Sequence, residues 1–123
     1  MKSKYLREID CEPDFFIRKD DERNEQFKKE IKEYGFASYE TWNLDITFVE
    51  FLYIMFRMYD DYNCIDTHYH HFEVEDEDWD MQKGIDYIIE TTKNYLITRK
   101  FFDSKLDDKL YDVLKKLMPL MWW

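Results

Sequence analysis

Apolar residues recur every three or four positions in four segments of the chain, and this spacing predicts four helices. Residues that cap or stop helices set the expected ends. The first two predicted helices run from Asp21 to Tyr34 and from Asp45 to about Tyr59, and the last two begin at Asp76 or Asp78 and at Asp103 or Ser104. Gly35 is expected to stop the first helix, and the fourth should end before Pro119.

The second predicted helix is apolar on nearly every side. One stripe contains Ile46, Val49, Leu52, Tyr53, Phe56 and Tyr59, and most of the remaining surface is taken by Phe48, Phe51, Ile54 and Met55. This pattern is typical of a central, buried helix, or of a helix whose second apolar face meets a partner.

The third and fourth helices each have one apolar face. These faces contain Met81, Ile85, Ile88, Thr92, Tyr95 and Leu96 in the third helix, and Leu106, Leu110, Val113, Leu114 and Leu117 in the fourth. Gly84 lies inside the third helix, where glycine costs about 1 kcal/mol relative to alanine. We therefore expect Gly84 to permit a close crossing with the second helix.

The composition favours a mainly α fold. Only two glycines and two prolines occur in 123 residues, whereas loop-rich β folds use these residues at most turns. We predict one domain over residues 1–123, a bundle of about four helices that also allows a short extended segment or hairpin near 64–74. It would comprise an N-terminal arm (1–20) that packs loosely, a helical core (21–117) and an apolar tail (118–123).

The charge balance narrows the choice of partners. The formal net charge is −10, which disfavours direct binding of nucleic acid and favours a basic protein partner. The beginning of the chain lacks the apolar region of a secretory signal, and the most apolar run is too short to span a membrane. Cys11 and Cys64 form no CxxC pattern. These features predict a soluble, cytoplasmic protein without a membrane contact.

Three histidines and six acids crowd into THYHHFEVEDEDWD, residues 67–80. If 64–74 is extended, His68 and His70 share one strand face, which is a metal-ligand geometry, while His71 points away. A zinc site needs further ligands from elsewhere in the fold. The favoured interpretation is an exposed polar loop or hairpin without a cofactor, and the absence of P-loop, GxSxG, HExxH and GxGxxG motifs argues against catalysis.

The acids of this stretch have no basic residues near them in the sequence. No Lys or Arg occurs from Met58 to Gln82. Acids at the start of the third helix would complement its dipole, but the excess predicts a sustained negative surface. The residues expected to contact a basic partner are Glu73, Glu75, Asp76, Glu77, Asp78 and Asp80, with Tyr69, Trp122 and Trp123 as apolar anchors unless the tryptophans fold back onto the bundle.

A motif before the second helix resembles a known pattern. Gly35-Phe36, then Glu40-Thr41-Trp42-Asn43-Leu44-Asp45 and Thr47, with Glu77-Asp78-Trp79 later in the chain, resemble small uncharacterised proteins of bacteriophages and prophages over residues 35–96. The histidine cluster is not part of that pattern. Physically the motif is expected to be structural: Asp45 caps the helix, Thr41 and Asn43 satisfy backbone groups, and Trp42 and Leu44 dock inward.

The resemblance implies a phage or mobile-element origin rather than an activity. The leading hypothesis is a non-enzymatic, anti-CRISPR-like inhibitor in the host cytosol that uses its acidic surface to occupy the basic nucleic-acid site of a host nuclease or defence complex. The alternatives are a metal-binding protein or metal-dependent enzyme using His68 and His70, and an assembly protein whose apolar helix 46–59 is completed by a second copy.

Overall fold

The computed structural model of the protein describes residues 3–11, 20–100 and 104–122, except for the side chains of 104–106. The described part of the chain is mainly helical (67%). The described part contains α1 (Lys4–Glu8), α2 (Asn24–Tyr34), α3 (Leu44–Tyr62), β1 (His71–Val74), β2 (Glu77–Asp80), α4 (Met81–Thr98) and α5 (Ser104–Leu117), with 3₁₀ turns at Ser38–Thr41 and Met118–Leu120. The prediction of a mainly α fold with about four helices, which also allowed a short hairpin, is confirmed.

The core lies where α3, α4 and α5 pack together. Tyr53 of α3, Ile85 and Ile88 of α4 and Val113 of α5 have no exposed surface. The apolar face predicted for the third helix is buried throughout α4, because every residue of that face lies toward the core. The spacing of apolar residues along the third predicted helix therefore predicted correctly which residues are buried.

α3 buries one face and leaves another partly exposed. On the buried side even Glu50 is only 3% exposed. On the other side a stripe with strict three- and four-residue spacing is between 37% and 64% exposed, and it contains Leu44, Phe48, Phe51, Met55, Met58 and Tyr62. The prediction that α3 is buried on all sides is thus wrong. The alternative prediction, a second apolar face on α3, fits the exposed stripe.

The N-terminal arm docks onto α3 over residues 3–11. Ser3 caps α1, whose residues Tyr5 and Leu6 are buried. The Tyr5 hydroxyl donates to Asp61 Oδ2 at 2.8 Å. The expectation that the arm packs loosely is wrong for this part, because two apolar side chains enter the core; residues 12–19 lie outside the described residues.

The motif before α3 is arranged differently from its prediction. α3 begins at Leu44, so Asp45 lies inside the first turn, and Asn43 makes no side-chain capping bond. Thr41 Oγ1 donates to the Ser38 carbonyl at 2.7 Å, which is the backbone role predicted for it. Trp42 is 46% and Leu44 64% exposed, so neither docks inward as expected. Trp42 instead meets the ring of Phe27 edge-on, at 6.3 Å between centroids, and so contacts α2.

The end of α2 and the apolar face of α5 were both predicted. Gly35 ends α2 with φ 87°, as predicted, and its N–H donates to the Ile31 carbonyl at 2.8 Å. In α5 the predicted apolar face is buried at Leu110, Val113, Leu114 and Leu117. The predicted cap at Asp103 or Ser104 and the side chain of Leu106 lie outside what the structure describes.

The hairpin occupies residues 71–80 rather than 64–74. β1 and β2 pair antiparallel, with His71 opposite Asp80 and Val74 opposite Glu77. α4 begins only at Met81, and Asp80 caps it by accepting from the Lys83 N–H at 2.7 Å. The predicted caps at Asp76 and Asp78 are wrong because this segment pairs with β1 instead of starting a helix.

Gly84 fits the hairpin closely. A Cβ atom at this position would lie 2.8 Å from Phe72 Cζ and 3.2 Å from Leu117 Cδ2. The close approach predicted at Gly84 therefore exists, but it is to β1 and α5 rather than to α3. The glycine allows the hairpin to lie flat against the start of α4.

Candidate partner-binding surface

The hairpin separates apolar from acidic side chains by simple alternation. Phe72 and Trp79 face each other across the strands and point toward the helices, where Trp79 is 4% and Val74 1% exposed. Glu73 and Asp78 form the next pair and are exposed on the opposite face. Glu73 and Asp78, with Glu75 and Asp76 at the turn, are therefore exposed on an element anchored in the core, whereas Glu77 lies opposite Val74 and Asp80 is half-buried. Residues 71–80 are called the acidic hairpin below.

The tip of the acidic hairpin has an unusual backbone. Glu75 and Asp76 both adopt positive φ angles, 50° and 65°. Two positive φ angles in a two-residue hairpin loop correspond to a type I′ turn, which strongly prefers Asn-Gly or a similar pair. Left-handed backbone costs ordinary L-residues about 1–2 kcal/mol each, although Asp tolerates it better. Glu75 in particular occupies a position that local conformational preference does not favour.

Three lysines from α4 and α5 surround the hairpin. Lys109 Nζ lies 3.5 Å from Glu75 Oε2, and Lys83 Nζ lies 3.6 Å from Glu77 Oε2. Lys116 Nζ donates to the Glu73 carbonyl oxygen at 2.6 Å. Since all three lysines lie outside residues 58–82, the linear sequence did not reveal this neutralisation.

The expected sustained negative surface is consequently weaker than predicted at the hairpin. Six carboxylates between Glu73 and Asp80, together with Asp112 beside Lys116, stand against three lysines and leave a local net charge of −4 when the histidines are neutral. The carboxylates at the tip keep much of their exposure, because the side chain of Glu75 is 67% accessible beside Lys109.

Two of these lysines, Lys83 and Lys109, also contact an aromatic ring beneath the strands. Lys83 Nζ lies 4.9 Å and Lys109 Nζ 5.3 Å from the centroid of the Trp79 ring, within cation–π range. Trp79 also meets Tyr87 edge-on at 5.4 Å. These contacts hold β2 against α4 and α5, so the hairpin is a fixed feature of the fold.

Two histidines form ion pairs across the outer face. His68 Nδ1 lies 2.9 Å from Asp80 Oδ2, and His71 Nδ1 lies 2.8 Å from Asp78 Oδ2. These hydrogen bonds raise the pKa of both histidines above the ordinary value, and the bond from His68 lowers the pKa of Asp80. His71 Nε2 also lies 3.1 Å from the His68 carbonyl oxygen, so both of its nitrogens face acceptors, which suits the doubly protonated ring.

The strand geometry assumed for a metal site is not formed. β1 starts at His71, and Thr67 to Tyr69 form a turn, so His68 and His70 do not share a strand face. His70 instead packs edge-on against the Tyr69 ring at 5.0 Å. Across residues 3–11, 20–100 and 104–122, no three His, Cys, Asp or Glu side chains are grouped so that they could hold a metal ion.

An apolar cavity of about 320 Å³ brings together two predicted anchors. Tyr69 and Trp122 line it, although they are far apart in sequence, and Trp122 is 75% exposed. The remaining lining residues are Ile65, Asp66, His70 and Leu120. The Tyr59 hydroxyl donates to the Trp122 carbonyl at 3.0 Å, which returns the tail backbone to α3 without burying the indole. Trp123 lies outside the described residues.

A second acidic group lies between α3 and α4 and was not predicted. Its centre is Gln82, whose Nε2 donates to Asp60 Oδ1 and to Asp86 Oδ1, both at 2.9 Å. Arg57 and Lys93 line the same polar groove of about 490 Å³. Four carboxylates, those of Asp60, Asp61, Asp86 and Glu90, line the groove against these two cations, so it is net negative.

Comparisons of the chain with protein-family models, with curated proteins and with solved structures found no match. Within the part of the chain that the structure describes, no helix is both long enough and apolar enough to cross a membrane.

Proposed function

We propose that this chain is a non-enzymatic binding protein of a phage or mobile element, which inserts its acidic hairpin into a basic, nucleic-acid-binding site of a host nuclease or defence complex. The observation that carries the proposal is the tip of the hairpin. Glu75 and Asp76 occupy left-handed positions where Asn-Gly would be locally preferred. Departures from local preference are expected where function requires a particular side chain.

The way the hairpin is anchored supports a binding role. Val74 and Trp79 are buried, and Phe72 packs over Gly84, so the strands are ordered before any partner arrives. Pre-ordering reduces the entropy lost on binding and so improves affinity. A rigid acidic element of this kind is suited to enter a cleft of fixed shape.

The charge distribution supports a basic partner. The local charge of −4 would attract Lys and Arg side chains and accelerate encounter at low ionic strength. In such a complex, a cation of the partner would share Glu75 with Lys109. Binding should therefore weaken as salt is added, because exposed charges are screened.

The test compares two double variants with the same change in net charge. Glu75→Gln with Asp76→Asn removes both tip charges, and Asn tolerates the left-handed backbone. Glu22→Gln with Glu25→Gln removes two exposed charges near the start of α2 and serves as the control. A partner is first identified by capture from bacterial cytosol with the wild-type chain, and its binding of an oligonucleotide is then measured.

The wild-type chain should displace the oligonucleotide from the purified partner. The tip variant should require at least about tenfold more protein, since hydrogen bonds between charged groups contribute about 1.5–3 kcal/mol each. The α2 control should behave as wild type. Equal displacement by both variants would contradict a role for the hairpin tip.

A second candidate, an assembly protein completed by a second copy, is favoured by the exposed stripe on α3. Its three- and four-residue spacing is typical of a helix–helix seam. Met55, at the middle of the stripe, is 47% exposed. Light scattering at micromolar concentration should then report a dimer that Met55→Glu dissociates and that Ile97→Glu, on exposed α4 surface, leaves intact. A monomeric wild-type chain would exclude this candidate.

A further inference from the structure

The cavity beside the acidic hairpin has the composition of a cation-binding site. Two aromatic residues, Tyr69 and Trp122, line it, and Asp66 is the acidic residue among the others. Aromatic faces attract organic cations, and a carboxylate next to them adds charge and direction. An apolar wall alone would instead fit a neutral ligand.

The carboxylate is already oriented. Asp66 Oδ1 accepts the His68 N–H at 2.9 Å, which restrains the side chain. Tyr69 is held edge-on by His70 at 5.0 Å, and the backbone of Trp122 is tied to Tyr59. These contacts restrain the side chains of Asp66 and Tyr69 and the backbone of Trp122.

The surroundings exclude an anionic ligand. No Lys or Arg occurs between Met58 and Gln82, and neither residue type lines the cavity. At about 320 Å³ the cavity lies at the small end of the range of roughly 300–1,000 Å³ for ligand sites. Its size suits one long side chain or a comparably small organic cation.

We propose that this cavity binds the guanidinium group of an arginine side chain. A planar guanidinium stacks on aromatic rings and donates two parallel hydrogen bonds to a carboxylate, whereas an ammonium does neither as well. The arginine is supplied by the basic partner, a point that rests on the proposed function. The aromatic cavity then anchors the partner while the acidic hairpin contacts its basic site.

The first test uses the chain alone and n-butylguanidinium as the probe. Chemical shifts of the Trp122 indole and the Tyr69 ring are followed by NMR during titration at constant ionic strength. The neutral analogue n-butylurea is titrated in parallel. We expect saturable shifts with n-butylguanidinium and affinity for the urea about tenfold lower. Equal affinities, or no saturable shift at these rings, would overturn the proposal.

Two pairs of variants separate the cavity from general charge and aromatic content. Asp66→Asn keeps an acceptor for the His68 N–H and should weaken n-butylguanidinium about tenfold, whereas Asp76→Asn makes the same charge change at the hairpin tip and should have no effect. Trp122→Leu should also weaken binding, whereas Tyr62→Leu, at an exposed ring outside the cavity, should not. An effect of Asp76→Asn equal to that of Asp66→Asn would refute a defined site.

Failure of this inference can be told apart from failure of the proposed function. Neutralising Glu75 and Asp76 should leave n-butylguanidinium binding unchanged, because neither residue lines the cavity. If Trp122→Leu and Asp66→Asn retain full displacement of oligonucleotide from the partner while the tip variant loses it, the arginine anchor is wrong and the hairpin proposal stands. Loss in all three variants, with the α2 control unchanged, supports both.

Discussion

The hairpin turn should be stabilised by residues that suit its backbone. Glu75 and Asp76 have φ angles of 50° and 65°, for which Asn and Gly are the preferred pair. We therefore consider the double substitution Glu75→Asn with Asp76→Gly. It leaves the buried strand residues untouched and changes only two exposed positions at the tip.

The expected change in unfolding free energy is the sum of three contributions. Relief of left-handed strain contributes about 1–2 kcal/mol, because Asn and especially Gly adopt this conformation more readily. The greater freedom of Gly in the unfolded chain removes about 0.5–1 kcal/mol. Loss of the ion pair between Glu75 and Lys109 removes only a few tenths, about 0.3 kcal/mol, since the Glu75 side chain is 67% exposed. With mid-range values of these contributions, the net gain in unfolding free energy is about 0.5 kcal/mol.

Urea denaturation followed by circular dichroism measures this gain, and the melting temperature should rise by about 2–3 °C. Gly35→Ala is the matched control, and it should change the unfolding free energy in the opposite direction. Gly35 also has positive φ, 87°, and its added Cβ would meet no atom within 4 Å, so only backbone strain changes. That variant should lose about 1 kcal/mol. If Gly35→Ala destabilises the chain but the turn variant gains nothing, the strain attributed to Glu75 and Asp76 is refuted.

Three further outcomes are expected. Gly84→Ala should lower the unfolding free energy by about 1–2 kcal/mol in urea denaturation despite better helix propensity, because the added Cβ meets Phe72 at 2.8 Å; an increase would show that the ring moves aside at little cost. Tyr95→Phe should cost about 1–3 kcal/mol by the same assay, since its hydroxyl donates to buried Asp107 at 2.8 Å, and an unchanged midpoint would mean that Asp107 finds another donor. Affinity for the basic partner should fall as pH drops through the raised pKa values of His68 and His71, because their protonation takes the local charge from −4 to −2; a flat profile between pH 5 and 8 would contradict the pairing.

The histidine pairs also give stability a defined pH dependence. Because the folded-state pKa values of His68 and His71 are raised, their contribution is fully present below the ordinary value of 6.5 and is lost as pH rises through the folded values. The pKa of Asp80 is lowered, so its contribution is present above the ordinary value of 3.8 and is lost as pH falls through the folded value. In thermal melts, the contribution of these pairs to the melting temperature should therefore be largest between about pH 4 and 6.5.

The periodic helices were determined by the sequence itself. In α4 the residues predicted for the apolar face are the residues that are buried, and Gly35 ends α2 where its lack of a side chain predicts a stop. Such features depend on spacing along one element and on local backbone preference, which a single sequence contains. The acidity of residues 71–80 and the exposure of their carboxylates were likewise visible in the chain.

The location of the hairpin required tertiary structure. Asp76 and Asp78 have the chemistry of helix caps, worth about 1 kcal/mol. Pairing of residues 77–80 with β1 buries Trp79 and Val74 instead, at about 1.5–3 kcal/mol for an apolar side chain of this kind. The larger burial term decides the conformation, and it exists only because α4 and α5 provide a surface to pack against.

The composition of the candidate site also depended on the fold. Lys83, Lys109 and Lys116 reduce the charge of the hairpin, and Tyr69 meets Trp122 in one cavity, although each pair of partners is separated along the chain. Spacing along a chain carries no information about such contacts. The sequence therefore determined which segments are helical and which are acidic, whereas packing between helices decided which charges are neutralised and which aromatic side chains line a site.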